Sequence, residues 1–144
     1  MLTVRELLAK KGSQVWSVSP DATVYDALQV MAERNVGAVL VLAGAELAGI
    51  LSERDYARQV VLKGKASRDT PVRQIMTTRL VCVTPERTIE DCMALMTDRR
   101  IRHLPVLQGE TLLGLLSIGD VVKAVISEKE FLIEQLEGYI SSSG

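Results

Sequence analysis

Apolar and polar positions follow each other along the chain with the periods of short strands and amphipathic helices. The first predicted helix has apolar residues at the i, i+3, i+4, i+7 and i+8 spacing: Val24, Ala27, Leu28, Met31 and Ala32. The apolar run VWSV precedes it, and VGAVLVL follows it. A turn at Gly44 leads into ELAGIL, which indicates a hairpin. A second helix is predicted to begin at Ser52, so the order is β-α-β-β-α.

The same order occurs twice. Pro20 matches Pro85 at an offset of 65, and the stretch GILSERD from Gly49 matches GLLSIGD from Gly114. The second copy supplies LVCV, a helix opening at Thr88, IRHLPVL and TLLGLL in the same positions. A lead-in also repeats, because TVRELL from Thr3 resembles PVRQIM, with three extra residues in the first copy before the match resumes. The chain is therefore an internal duplication.

The duplication predicts an α/β fold of two repeats related by a pseudo-twofold. One unit of about 50 residues buries too little of its surface to be stable alone, so we expect the copies to cover each other's sheets. We assign residues 1–69 to repeat 1 with its lead-in, 70–127 to repeat 2, and 128–144 to an extra C-terminal helix and tail. The linker is Gly64–Thr70, and the extra helix carries an apolar face that needs a surface.

Composition narrows the class of protein. The 144 residues carry a formal net charge of −1, which gives no general attraction to nucleic acid or to an anionic membrane. No apolar run approaches the roughly 20 residues of a membrane helix, and the first residues lack the pattern of a secretory signal. Cys82 and Cys92 do not make a disulfide framework and are expected to be core thiols. A cytoplasmic location is the expectation.

The repeated Ser-x-x-Asp motif, Ser52 with Asp55 and Ser117 with Asp120, allows two interpretations. In the first, each pair is a capping box at a helix start. In the second, the pseudo-twofold brings both helix starts to one cleft, where each carboxylate accepts hydrogen bonds from the two hydroxyls of a ribose, as acidic residues do in dinucleotide folds. A nucleotide also needs cations for its phosphate, and DRRIRHLPV supplies them: Arg99, Arg100, Arg102 and His103.

The tandem copies, the HLPV strand and the Gly-hydrophobic-hydrophobic-Ser-x-x-Asp ending resemble a cystathionine-β-synthase (CBS) domain pair, over Thr3 to about Ile126. The resemblance is strongest to small bacterial stand-alone CBS-pair proteins that end in an extra helix. It implies a cleft between the copies that binds an adenine nucleotide. AMP is the ligand expected first, and ATP, ADP, NAD or an S-adenosyl compound are the alternatives. It also implies that Asp55 and Asp120 hold ribose and that Ser52 and Ser117 supply the hydroxyl at each helix start.

The resemblance further implies sites that mix the copies. The residues implied at the Asp55 site are Ile50, Leu51, Leu80 and Val81, with Arg102 and His103 facing the phosphate and Arg54 within reach of it. Those implied at the Asp120 site are Leu115, Leu116, Val15 and Trp16, with the small residues Gly37 and Ala38 in place of the cations. The Asp55 site is therefore expected to suit a charged phosphate tail better.

Three functions compete. The first is a non-catalytic sensor whose ligand changes the packing of the copies, read by a homodimer or by another, unidentified protein. The second is an assembly module in which both Ser-x-x-Asp pairs are caps only. The third is an enzyme such as a nucleotide hydrolase, but one histidine and two cysteines give neither a base–nucleophile pair nor metal-ligand spacing. The sequence favours the sensor, with no catalytic residues, cofactor or metal.

Overall fold

The computed structural model describes residues 1–143 and confirms the mixed α/β class with a C-terminal helix. The elements are α1 (Val4–Lys11), β1 (Ser17–Val18), α2 (Val24–Arg34), β2 (Ala38–Ala43), β3 (Glu46–Ser52), α3 (Glu53–Tyr56), α4 (Ile89–Arg99), β4 (His103–Gln108), β5 (Thr111–Ser117) and α5 (Ile118–Ser143). A π-helical turn, Ala57–Val61, prolongs α3, and a single 3-10 turn covers Val72–Gln74. Within the described residues, no helix is both long and apolar enough to cross a membrane.

The chain folds into two compact units that interleave along the sequence. The first unit is Gln14–Val81, and the second consists of Met1–Ser13 together with the chain from Cys82 onward. Helix α1, which the repeat pattern groups with repeat 1, thus packs with the elements of repeat 2. The boundaries at 69 and 127 remain a prediction about the sequence repeat.

The two lead-in segments make the same contacts, each within its own unit. The Val4 amide donates to the Arg87 carbonyl at 2.8 Å, and the Val72 amide donates to the Ala22 carbonyl at 2.8 Å. Short antiparallel bridges, Thr3 with Thr88 and Thr23 with Pro71, accompany these bonds. The repeated lead-in in the sequence therefore corresponds to a repeated docking contact.

The first unit is built on a three-stranded sheet in the order β1-β2-β3. Strand β1 is parallel to β2, and β2 is antiparallel to β3, as the predicted hairpin requires. Helix α2 begins at Thr23, whose side chain closes a capping box with Asp26. Its predicted apolar face is confirmed in part, since Val24, Ala27 and Met31 are buried. The core also holds Val39, Val41, Leu51, Val60, Val72 and Ile75.

The second unit departs from the predicted pattern at its first strand. LVCV forms only an isolated parallel bridge, Val83 with Val106, instead of a strand. Pro105 explains the difference, because it occupies the place of Leu40, whose amide donates to the Trp16 carbonyl at 2.9 Å in the first unit. Proline has no amide proton to donate to the ladder. The sheet here has two antiparallel strands, β4 and β5.

The helix starts at Ser52 and Ser117 are confirmed, but the helices that follow differ in length. Helix α3 has 4 residues before the π-helical turn, whereas α5 runs for 26 residues. The expected C-terminal helix is present, but it is continuous with the helix that begins after Ser117 instead of starting near residue 128. Between Gly119 and Gly138 the sequence has neither glycine nor proline, so nothing interrupts the backbone hydrogen bonds of α5.

The segment expected to be a linker, Gly64–Thr70, contacts the first unit at its end. Thr70 is buried, with its hydroxyl donating to the Ala66 carbonyl at 2.7 Å. The Thr70 carbonyl accepts from the Val24 amide at 2.8 Å, beside the start of α2. The C-terminal end of this segment is therefore held by hydrogen bonds within the first unit.

Candidate functional site

In the first unit, the end of β3 and the start of α3 hold the Asp55 carboxylate. Its Oδ2 accepts from the Ser52 amide at 2.9 Å and from the Ser52 hydroxyl at 3.0 Å. The Asp55 amide in turn donates to Ser52 Oγ at 3.2 Å. These bonds are the reciprocal capping box of the first interpretation, and they fix one carboxylate oxygen against the helix start.

The other oxygen of this carboxylate has a contact that the sequence reasoning missed. The Thr77 hydroxyl donates to Asp55 Oδ1 at 3.3 Å. Thr77 comes into position because its amide and carbonyl pair with the backbone of Ile50 at 2.9 and 3.0 Å. The signal available in the sequence was the second lead-in, PVRQIM, which ends at Met76 directly before Thr77.

The second unit places a lysine against the corresponding carboxylate. Asp120 Oδ2 accepts from the Ser117 amide at 2.8 Å, and the Asp120 amide donates to Ser117 Oγ at 3.1 Å, which again is a capping box. In addition, Lys11 Nζ lies 2.6 Å from Asp120 Oδ2 and donates to the Leu115 carbonyl at 2.9 Å. The Lys11 and Asp120 side chains are only 29% and 26% exposed.

Burial and hydrogen bonding act in opposite directions on Asp120. Burial raises the pKa of its carboxyl, but the hydrogen bonds from Lys11 and from the Ser117 amide outweigh it, and the pKa is held below the ordinary 3.8. Asp120 is therefore a firmly ionised partner of an ammonium group near neutral pH.

The Lys11–Asp120 pair lies at one wall of a groove between α1 and α5 with a volume of about 660 Å³. Its lining mixes apolar and charged side chains: Met1, Leu2, Glu6, Leu7, Lys10, Lys11, Asp120, Lys123, Ala124, Ser127, Glu128 and Phe131. The Leu2 amide donates to Glu128 at 3.0 Å, which ties the N-terminus to α5. This groove belongs entirely to the second unit and was not expected from the sequence.

The remaining predicted site residues divide between the units. The first unit contains Val15, Trp16, Gly37, Ala38, Ile50, Arg54, Leu80 and Val81, and the second contains Arg102, His103 and Leu115. Within each unit the strand register sets Ala38 opposite Ser52 and His103 opposite Ser117. The predicted sites that combine residues of both units, such as Asp55 with Arg102 and His103, stay predictions.

Backbone contacts explain why these residues lie near the helix starts. The Gly37 carbonyl accepts from the Glu53 amide at 3.0 Å, and the Arg102 carbonyl accepts from the Ile118 amide at 2.8 Å. Each bond satisfies one of the amides that a helix start leaves without an internal partner. Gly37 and Arg102 therefore occupy equivalent positions with very different side chains.

Trp16 packs within the first unit. It is half-buried against the core, and the Arg34 guanidinium lies 4.1 Å from the centre of its ring. A cation over the ring face is a favourable contact in its own right. Trp16 therefore packs within the first unit, and its implied place at the Asp120 site stays a prediction.

The two cysteines are free; Cys92 is a core thiol as expected, whereas Cys82 is only half-buried, and burial makes both poor nucleophiles. Burial raises the pKa of Cys82, and burial together with the charges of Asp91 and Glu90 raises the pKa of Cys92 to about 11, against a lowering by Arg87. Because the thiolate is the reactive form, neither thiol is activated.

Comparison with known proteins decides the family. The model of the CBS domain matches this chain twice, over residues 3–62 and 72–127. The chain belongs to the CBS domain family. CBS-domain proteins are generally non-catalytic, regulatory and nucleotide-sensing, and no catalytic family is indicated.

Relatives with CBS domains cover most of the chain. The CBS domain-containing protein CBSX3 of Arabidopsis thaliana, which is mitochondrial by its name, is 43% identical over 148 residues, spanning 96% of this chain and 71% of the relative. A solved structure with CBS domains from Burkholderia ambifaria MC40-6 has a TM-score of 0.84 and 48% identity, covering 87% of this chain and 94% of that one. A hexameric CBS-CP12 protein from bloom-forming cyanobacteria has a TM-score of 0.75 and 32% identity, covering 85% and 70%.

Proposed function

We propose that the chain is a non-catalytic sensor that binds an adenine nucleotide, with the ribose diol held by Asp55. AMP is the ligand we expect first, with ADP, ATP, NAD and S-adenosylmethionine as related candidates. Binding would alter how the protein packs or which protein it contacts, so the response would be read by a homodimer or by a separate, regulated chain.

The observation that carries this proposal is that the two oxygens of the Asp55 carboxylate make different contacts. Oδ2 holds the helix start through Ser52, while Oδ1 has the longer 3.3 Å contact with the Thr77 hydroxyl. A carboxylate has about four lone-pair positions, so it can accept from a diol without losing its cap. Membership of a generally nucleotide-sensing family supports the same ligand class.

Thermal denaturation in the presence of each nucleotide tests the proposal. A ligand that binds only the folded state stabilises it by RT ln(1 + [L]/Kd), about 2.7 kcal/mol at a hundredfold excess over Kd. We expect at least one nucleotide to raise Tm, and we expect Asp55→Asn to remove most of that rise. If none of the five nucleotides, each at about 1 mM, raises Tm, the proposal is overturned.

Asp26→Asn is the matched control, because Asp26 is also the third helical residue of a capping box in the first unit, with Thr23. Both substitutions alter a cap by a similar amount, since an asparagine oxygen can still accept from the backbone amide. The sensor requires that Asp55→Asn weakens nucleotide binding and that Asp26→Asn does not. Equal affinities in the two variants would assign Asp55 to capping alone.

An assembly module is the second candidate, and the surface of α5 favours it. Val122, Ile126, Ile133 and Leu136 are 39%, 52%, 53% and 55% exposed, and their spacing puts them on one side of the helix. A solvent-facing apolar stripe of this kind is typical of a helix that packs against another helix. A second copy of this chain is the occupant we expect.

Light scattering on Ile133→Glu tests assembly, with Gln135→Glu as control on the opposite side of α5. We expect the wild type to be a dimer, Ile133→Glu to be shifted towards monomer, and Gln135→Glu to match the wild type. A wild-type monomer, or equal behaviour of the two variants, would remove α5 from the proposed interface. Nucleotide binding without assembly would leave the sensor proposal intact.

A further inference from the structure

Lys11 makes the helix start at Ser117 chemically different from the helix start at Ser52. Its ammonium is held by two acceptors, Asp120 Oδ2 at 2.6 Å and the Leu115 carbonyl at 2.9 Å. Leu115 lies on the strand that ends at Ser117, so the ammonium occupies the corner between the strand end and the first turn of α5. The same oxygen of Asp120 also caps the helix through the Ser117 amide at 2.8 Å.

The reach of Lys11 depends on the three extra residues that distinguish the first lead-in. Helix α1 has 8 residues and a Thr3–Glu6 capping box, and it ends at Gly12 with a positive φ of 94°. The second lead-in has only the 3-10 turn Val72–Gln74, and Arg79, which lies three residues after Met76 as Lys11 lies three after Leu8, is exposed. The additional length lets α1 continue to the residue that contacts Asp120.

A ribose diol that uses both oxygens of Asp120 competes with the Lys11 ammonium for Oδ2. The hydroxyls of ribose are neutral donors, whereas the bond from Lys11 is charge-assisted, hence shorter and stronger. The two side chains are only 29% and 26% exposed, so water and salt weaken the pair less than they weaken a fully exposed pair. A nucleotide whose ribose needs Asp120 Oδ2 must first displace Lys11 from that oxygen and from the Leu115 carbonyl.

We infer that Lys11 blocks the Asp120 carboxylate against ribose, so that each chain binds one adenine nucleotide, at Asp55. This inference rests on the proposed function and adds to it the number of ligands and the residue that sets it. The repeat alone predicts two equivalent carboxylates, and the lead-in makes one of them unavailable.

Isothermal titration with AMP tests the inference. We expect one AMP per wild-type chain, lost in Asp55→Asn and retained in Asp120→Asn. Lys11→Met, which keeps most of the aliphatic side chain, is expected to bind two AMP per chain, and adding Asp120→Asn to it should return the number to one. Lys10→Ala, the neighbouring lysine on α1, is the control and should bind one.

The outcomes separate the inference from the proposed function. Two AMP per wild-type chain, with one lost in Asp120→Asn, would overturn the role of Lys11 and leave the sensor standing. One AMP per chain in Lys11→Met would also overturn that role, provided its thermal unfolding is cooperative. If neither protein binds AMP, the proposed function itself fails for this ligand, and the inference fails with it.

Discussion

The two helix starts share a motif and a capping box but not a third partner. Asp55 meets the hydroxyl of Thr77, and Asp120 meets the ammonium of Lys11. Neither partner lies in the matching β-α-β-β-α repeats, since Thr77 directly follows the second lead-in and Lys11 lies three residues beyond the first. Duplicated motifs can therefore diverge in chemistry through residues outside the motif, while the Ser and Asp of each motif still form the same capping box.

The two lead-ins make equivalent contacts as far as a glycine of the neighbouring strand, and the chain follows different paths beyond that contact. Leu8 packs against Gly114 in the second unit, and Met76 packs against Gly49 in the first. Beyond this point α1 continues to Lys11, whereas the other segment leaves its turn and pairs with Ile50 through Thr77. Gly114 is thus approached only by the side chain of Leu8, whereas Gly49 is approached by the side chain of Met76 and by the backbone carbonyl of Thr77.

That difference predicts unequal costs for adding one methyl group to each glycine. At Gly49 a Cβ would lie 2.8 Å from the Thr77 carbonyl oxygen and 2.9 Å from the sulfur of Met76, so the backbone must shift. At Gly114 it would lie 2.8 Å from the Cδ2 of Leu8, a side-chain end that can move. We expect Gly49→Ala to cost about 2–3 kcal/mol and Gly114→Ala about 1 kcal/mol in urea denaturation.

Gly119→Ala provides the control for that pair. A Cβ there would meet only Ser117 Oγ at 3.6 Å, an ordinary contact, and alanine favours the helix. Its free energy of unfolding should equal or exceed that of the wild type by up to about 1 kcal/mol. Equal losses for Gly49→Ala and Gly114→Ala would mean that the two docking contacts are energetically alike.

The ion pair of Lys11 predicts a second, smaller difference between the units. Lys11→Ala should lower the free energy of unfolding by about 1 kcal/mol at pH 7, because it leaves the half-buried Asp120 carboxylate without its cation. Arg79, three residues after Met76, is exposed, so Arg79→Ala should change stability by less than about 0.5 kcal/mol.

The pH dependence of stability tests whether the Lys11–Asp120 ion pair causes the stability loss of Lys11→Ala. The folded-state pKa of Asp120 lies below the ordinary 3.8, so its contribution is fully present above that value and is lost as the pH falls through the folded pKa. The stability gap between wild type and Lys11→Ala should therefore be constant from pH 7 to about pH 5 and shrink below pH 3.8. A gap that persists in acid would point to lost packing of the lysine stem.

Much of the fold could be predicted because the duplication doubled each signal. The helix periodicity, the hairpin turns and the helix starts at Ser52 and Ser117 were all visible in two copies. The predictions that failed depended on a single residue or on the absence of a helix-breaking residue. Pro105 removes one amide and with it the strand LVCV, and the lack of a breaker lets α5 continue through Glu128. Neither feature changes the hydrophobic pattern on which the prediction rested.

The candidate site was predictable only in its shared part. The Ser-x-x-Asp spacing fixes a capping box locally, and both boxes form. Lys11 and Thr77 stand far from their partners in sequence, with separations of 109 and 22 residues. Only the docking of each lead-in brings them to a carboxylate, and local spacing carries no information about that docking.

The cysteines offer the smallest and last test, since repeat 1 has Ser17 and Ala27 at the positions of Cys82 and Cys92. Cys92 is fully buried with a pKa of about 11, while Cys82 is only half-buried. In native protein at pH 8, a chromogenic disulfide reagent should label Cys82 slowly and Cys92 only after unfolding, because it needs an accessible thiolate. Cys82→Ser should abolish native labelling, and Cys92→Ala should leave it unchanged. Faster labelling of Cys92 than of Cys82 would mean that α4 opens more readily than its burial implies.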